Sequence, residues 1–170
     1  MEITPRLVTV LAYHRILYEV RRVPDKTPPL DFPGRLGLPP RSLVKTVPFH
    51  HGTEVALLVL PIECELDPKR VGALWGAQRS RPYSAEEVAH YFPDCEPAAI
   101  PPVGEPYGAT VYLDRCVPIH SKISFHGGSS RQLIRLPYPV FDLLVQPLHV
   151  GICRDCQGCG MAKVISALRR

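Results

Sequence analysis

The chain has 170 residues, 45% of them hydrophobic, with 20 prolines, six cysteines and a formal net charge of +4. That size fits one domain with a tail and can bury a core, and the hydrophobic share excludes a disordered chain. The proline count excludes long helices and coiled coils and favours many short elements, while the modest charge permits an RNA partner without requiring one.

Basic residues are dispersed apart from Arg21-Arg22, Arg79/Arg81 and Arg169-Arg170, so no continuous nucleic-acid stripe can be read. A short apolar run near the start is flanked by Glu2 and Arg6 and shows no cleavage pattern. The longest apolar run, Val55 to Pro61, fits one buried strand and not a membrane span. The expectation is a cytoplasmic protein with no membrane partner. Its cysteines are then expected as reduced thiols or ligands, not as a disulfide framework.

In chain order, Leu7, Val8, Leu11 and Ile16 give mostly helical spacing from about Pro5 to Leu17. Leu17 to Val23 alternates apolar and polar like a half-exposed strand, and Pro24 stops it. Residues 24–40 read as a Pro- and Gly-rich loop with one helical turn near Asp31 to Leu36. Arg41 to Phe49 is a strand, His50-His51-Gly52-Thr53 a turn, and Glu54 to Leu60 the strand that completes a hairpin. Asp67-Pro68 opens a helix through Val71, Leu74 and Trp75 that ends near Gly76. Ser84-Ala85-Glu86-Glu87 is a capping box for a second helix that reaches about Tyr91. A Pro/Gly loop, Asp94 to Tyr107, leads into three short strands: Ala109 to Leu113, Lys122 to Phe125 and Gln132 to Leu136. A final apolar stretch covers Phe141 to Val150. The order predicts an α+β fold with a mixed, mostly antiparallel sheet and several short helices around it.

The strand at 41–49 singles out one residue. Period two places Leu43, Lys45, Val47 and Phe49 on one face. Three are apolar, so Lys45 projects from a face that belongs in the interior. Such a lysine either snorkels to water as an edge charge or sits in a polar cleft.

Several pieces then stand in a fixed order: Ile16-Leu17-Tyr18-Glu19 after a helix, the Leu43-Val44-Lys45-Thr46-Val47 strand, and the helices at Leu66-Asp67-Pro68 and Ser84-Ala85-Glu86-Glu87. After them come Ala98-Ala99-Ile100-Pro101-Pro102-Val103-Gly104, Val111-Tyr112-Leu113-Asp114 and Ile123-Ser124-Phe125-His126-Gly127-Gly128. Together they resemble the YbaK / prolyl-tRNA-synthetase-associated editing-domain family over about residues 5–145. The resemblance implies a deacylase of mischarged aminoacyl-tRNA acting in trans, with no cofactor and with aminoacyl-tRNA, and in some settings a synthetase, as partner. Alanine or cysteine on the proline tRNA, or a related tRNA, is the implied substrate class. Lys45 matches the family's pocket lysine. Pro102 matches the proline of its Gly-x-x-x-Pro loop, while Ala98 stands in the glycine's place. The added methyl can narrow the pocket or retune the substrate.

The implied site is therefore Lys45 as the catalytic cation. Tyr18, Thr46, Ala98, Pro102, Gly104, His126, Gly127 and Gly128 are the substrate-binding set. Each has a plainer reading: Gly127-Gly128 as a hairpin turn, Pro101-Pro102 as a stiff loop, His126 and Tyr18 as ordinary strand or core residues. The domain assignment is 1–150 for the editing unit and 151–170 for a Cys-containing tail.

Cys153-x-x-Cys156-x-x-Cys159 is not explained by the resemblance. Such spacing can hold zinc or iron–sulfur, with His149 as a further ligand, or it can be a tail of reduced thiols. Two other functions follow from these features: an inactive tRNA- or ligand-binding module of the same fold, and a metal- or redox-linked regulator that uses the cysteines.

Overall fold

The computed structural model describes residues 2–76 and 79–154. Helix α1 (Pro5–Tyr13) begins on a proline and buries Leu7, Val10 and Leu11. It ends a turn earlier than the apolar spacing predicts. Arg15 takes φ of 54°, and the Ile16 N–H donates back to Leu11 O at 2.8 Å, which closes the helix. Strand β1 (Glu19–Arg22) has all four residues exposed, because it is the sheet's edge and pairs only with one neighbour. The Pro-rich loop contains one helical turn, α2 (Phe32–Arg35), whose Phe32 is buried.

β2 (Leu43–His51) and β3 (Glu54–Pro61) form an antiparallel hairpin in register from Val44↔Pro61 to His51↔Glu54. A two-residue Gly52-Thr53 turn joins them, with Gly52 at φ +62° as a primed hairpin turn needs. From Ala56 onward β3 is buried on both faces, so it reads as a continuous apolar run. Helix α3 (Pro68–Trp75) is capped by Asp67, whose carboxylate accepts from Lys69 N at 2.9 Å. A short β4 (Ser80–Pro82) pairs with the far end of β2. Helix α4 (Ala85–Tyr91) carries the full Ser84/Glu87 capping box.

The remaining strands are β5 (Thr110–Asp114), β6 (Lys122–His126) and β7 (Gln132–Pro137). The final apolar stretch divides into helix α5 (Tyr138–Val145) and strand β8 (Leu148–Val150). The strands form one mixed sheet in the order β1-β7-β6-β2-β3-β5-β8, with β4 attached to β2. The contacts β2·β6, β3·β5 and β5·β8 are parallel and the others antiparallel.

Both faces of the sheet are covered. On one face, Leu7, Leu11, Val88, Phe92 and Phe141 from the helices pack on Val44, Leu57, Val59 and Phe125. On the other lie smaller clusters. Phe32, Leu38, Leu43, Ile62 and Leu133 form one; Phe49, Leu58, Val71, Val150 and Ile152 form another. This division fixes which strand residues share surroundings and leads directly to the site.

Candidate functional site

β2 and β6 run parallel and are paired only at Leu43↔Ser124 and Val44↔Phe125. Carrying that register one step further sets Lys45 level with His126, the last residue of β6. β4 does not join β2 until Phe49. Lys45, Thr46, Val47 and Pro48 therefore lack a strand partner on that side, and the sheet opens where two parallel strands part. Divergence beyond the carboxyl end of a parallel strand is where open α/β sheets hold their ligands.

Period two then sorts the lining. Leu43, Lys45, Ser124 and His126 share one face; Val44, Thr46 and Phe125 share the other. Lys45 is half-buried, and among the described residues no hydrogen bond or ion pair engages its ammonium. Ser124 is 1% exposed and its hydroxyl has no hydrogen-bond partner among the described residues. Thr46 Oγ1, just across the strand, is in the same condition. Buried polar groups are normally satisfied, so orphaned ones beside a lone lysine are what a polar ligand would complete.

His126 is 6% exposed, and its Nδ1 lies 3.1 Å from Ser129 O, so that nitrogen carries the proton and donates. Burial pushes its pKa below the ordinary histidine value, and the ring meets Phe32 edge-on at 6.0 Å. It is a neutral imidazole with Nε2 as its acceptor.

The loop from Asp94 to Tyr107 is tied to the turn after His126. Glu96 N donates to Gly128 O and Gly128 N to Ala99 O, each at 2.8 Å, and the Glu96 carboxylate accepts from Ser130 N at 3.0 Å. Thr4 N donates to Gly127 O at 2.7 Å, and the Thr4 hydroxyl bonds to Asp94. Within this loop Pro102 and Gly104 are buried, while Ala98 is exposed. The glycines lie against the protein's own chain. A Cβ on Gly104 would fall 1.9 Å from Ala109 O; one on Gly127 would meet Ile134, and one on Gly128 would meet Thr4. Tyr18 packs on the main core cluster, away from the face of Lys45.

Register and period two thus put Lys45, Ser124 and His126 on one face, Gly127 and Gly128 follow His126 in the turn, and Pro102 and Gly104 are buried in a loop whose Ile100 and Val103 pack in the main core cluster. Thr46 is placed on the opposite face and Tyr18 on the opposite cluster. Ser124 is absent from the sequence expectation, although period two from His126 within Lys122 to Phe125 points to it. Cys153 is buried and bridged to Leu66, whereas Cys156 and Cys159 lie outside the described residues. His149 is exposed and engages Asp142 at 3.6 Å. His50 and His51 extend β2 and do not form an exposed turn: His50 stacks on Tyr83 at 3.9 Å and His51 on Trp75 at 4.7 Å.

An eight-stranded mixed sheet with helices on both faces is an α+β architecture with known counterparts. A scaffold protein used for epitope grafting by computational design shares it with a TM-score of 0.76 at 18% identity, over 89% of this chain and 96% of that one. A protein described as a candidate trans-editing enzyme for prolyl-tRNA synthetase matches with a TM-score of 0.75 at 20% identity, over 91% and 100%. A protein from Marinobacter aquaeolei, described as a candidate in signal transduction, matches at 0.68 and 14% identity; it covers 99% of this chain and 37% of its own. No curated protein matches the sequence. The aminoacyl-tRNA editing domain matches residues 30–143, and the chain belongs to that family. No helix among the described residues is long and apolar enough to cross a membrane.

Proposed function

We propose that this protein hydrolyses mischarged aminoacyl-tRNA in trans, at the opening between β2 and β6. The observation that carries the reading is Lys45: half-buried, without a partner among the described residues, and level with the end of β6. The aminoacyl ester is already activated, so the site has to hold it, orient water and stabilise the oxyanion. Lys45 supplies the positive charge, to the phosphate of the terminal adenosine or to the developing oxyanion. Backbone groups of the loop from Ala98 to Gly104 hold the aminoacyl end, and Gly127-Gly128, bonded to Thr4, Glu96 and Ala99, anchor that loop beside His126. Ser124 and the acceptor nitrogen of His126 complete the polar lining, and Thr46 and Tyr18 support it from behind. The attacking group is water or the substrate's neighbouring hydroxyl.

Support for a tRNA partner comes from the adjoining surface. Arg22 and Arg131 line a cavity of about 350 Å³ with Asp25 and Gln132. A second, of about 220 Å³, is lined by Lys26, Arg131 and Phe32, and Phe32 contacts His126. Cations beside the opening suit the phosphates of an acceptor end. The proposed substrate is a small amino acid such as alanine or cysteine on the proline tRNA or a related one. The editing unit spans residues 1–150, acts in the cytoplasm alone or beside a synthetase, and needs no cofactor for this step.

Deacylation of tRNAs charged with alanine, cysteine, serine and proline, by wild type and Lys45→Ala, tests this. Clearance of one mischarged species by the wild type alone supports the reading. Binding of charged tRNA with no hydrolysis anywhere on the panel moves the function to a binding module. Ala98 in place of the glycine favours that second reading, and Ala98→Gly is its direct probe.

A further inference from the structure

The register that sets the Lys45 face continues across the sheet to its β1 edge. Leu43 pairs with Ser124, Ser124 with Arg135, and Arg135 with Glu19, one row over four strands. The next row holds Lys45, His126, Leu133 and Arg21. Paired residues share a face, and Lys122 joins it two residues before Ser124. Arg21, Lys122 and Arg135 therefore gather round Glu19 on the face that carries Lys45. The cations of the two cavities, Arg22, Lys26 and Arg131, are not part of this cluster.

Glu19 engages this cluster without satisfying it. The Lys122 ammonium donates to one carboxylate oxygen, and the other oxygen lies 3.8 Å from a terminal nitrogen of Arg135. The Lys122 hydrogen bond, with the charges of Lys122, Arg135 and Arg21, holds the Glu19 carboxyl below the usual carboxylate range. Both oxygens are taken, yet donors remain. The Arg135 side chain is 18% exposed, and its Nε has no hydrogen-bond partner among the described residues. Directly opposite, the Ser124 hydroxyl is unpartnered as well, in a residue that is 1% exposed. Buried donors normally find acceptors, and a guanidinium presents a fork that fits a phosphate or carboxylate two oxygens at a time. Here one prong of that fork is empty.

We infer that Arg135 and Lys122, backed by Arg21 and the Ser124 hydroxyl, form a binding site for a backbone phosphodiester of the tRNA's 3′ end, with Glu19 holding the phosphate's place in the free protein. The identity of the RNA rests on the editing reading; the anion chemistry does not. Two strand spacings and one two-residue step put Arg135 about 12 Å from Lys45, Cα to Cα. A strand whose terminal ester lies at Lys45 thus brings one of its last phosphodiesters over Arg135. That phosphate takes both prongs of the guanidinium and the Lys122 ammonium. Glu19 turns out to water, which costs little packing because all four residues of β1 are exposed. Ser124 stands between the two rows and offers its hydroxyl to the same strand.

The test titrates an uncharged acceptor-stem hairpin with an unpaired 3′ end into full-length protein over a range of salt concentrations. Arg135→Gln and Lys122→Gln should each weaken binding. The double variant should also flatten the plot of log affinity against log salt by about 0.7, the value for one phosphate of a single strand. Glu19→Gln removes the competing carboxylate and should tighten binding several-fold. Folded Arg135→Gln and Lys122→Gln proteins with wild-type affinity and salt slope overturn the site, as does a Glu19→Gln protein that binds no more tightly. Inorganic phosphate that binds this cluster as tightly as the hairpin does assigns it to a free anion and overturns the RNA assignment. Lys122 and Glu19 lie at the surface, so their variants decide the matter even where Arg135→Gln fails to fold. Protein that binds the hairpin through Arg135 but clears no mischarged tRNA loses the editing reading and keeps this site. A deacylase whose RNA affinity ignores all three residues keeps the reading and loses the site.

Discussion

Two polar sites share one face of the sheet and are built on opposite terms. Lys45 pairs across the hairpin with Leu60, and Leu60 packs against Cys64 and Cys153. On the Lys45 side an ammonium and the Ser124 hydroxyl have no partner among the described residues. On the far side of Leu60, Asp114 is more deeply buried and accepts three backbone N–H bonds. An unsatisfied buried polar group costs stability and is kept where a ligand completes it; a satisfied anion instead fixes the backbone around it. The contrast separates a site that waits from a site that holds.

The largest expected effect comes from the holding side. Asp114→Ala orphans three N–H groups at about 1–3 kcal/mol each, partly relieved by water, so a loss of roughly 3–5 kcal/mol is expected in urea unfolding. Lys45→Ala should change the same midpoint by less than about 1 kcal/mol. Equal losses in the two variants would erase the contrast.

The next effect lies on the waiting side. Lys45→Ala should lower the single-turnover deacylation rate by about 10²–10³-fold, the usual scale for loss of one oxyanion donor. Asp114→Asn, kept folded at low temperature, should leave that rate within a few-fold. A deacylase indifferent to Lys45→Ala would remove the lysine from the chemistry.

Gly104 marks the boundary between the two terms. It belongs to the loop proposed to hold the aminoacyl end, yet a Cβ there would overlap the Ala109 carbonyl. Gly104→Ala should therefore cost about 1–3 kcal/mol as overpacking, seen by thermal unfolding without tRNA. If the variant is fully stable and only substrate affinity falls, the glycine serves the ligand and not the loop.

Much of this was legible in the chain, and the exceptions have physical causes. Lys45 stood out because period two placed it among Leu43, Val47 and Phe49. The Ser84/Glu87 box and the Asp67-Pro68 start are local chemistry and appear as read. The stretch from Phe141 to Val150 hid a helix and a strand because both are apolar there; the break is Gln146, at φ 49° ahead of Pro147. β4 is three residues long and exists only because β2 offers an edge to it. Asp114 reads locally as a turn opener, and its role depends on Ile152 and Cys153, 38 and 39 residues away. His50 and His51 likewise gain their places from Tyr83 and Trp75, which no local pattern connects to them.

The smallest effect sharpens the comparison through pH. Burial lowers the His126 pKa below the ordinary histidine value, against the opposing pull of the Ser129 and Gln132 carbonyls and the Glu96 charge. The unfolded chain therefore takes up the proton first as pH falls. Stability from this residue is complete above about 6.5 and drains away below it, until the folded-state pKa is passed and the difference becomes constant. Urea midpoints should fall on acidification through this window in the wild type and fall less steeply in His126→Gln, which cannot take the proton. The deacylation rate should follow a similar limb if the neutral ring lines the opening, since an imidazolium beside Lys45 would repel it. A rate that is flat where stability declines would return His126 to the structural side of the sheet and leave Lys45 and Ser124 as the polar groups of the opening.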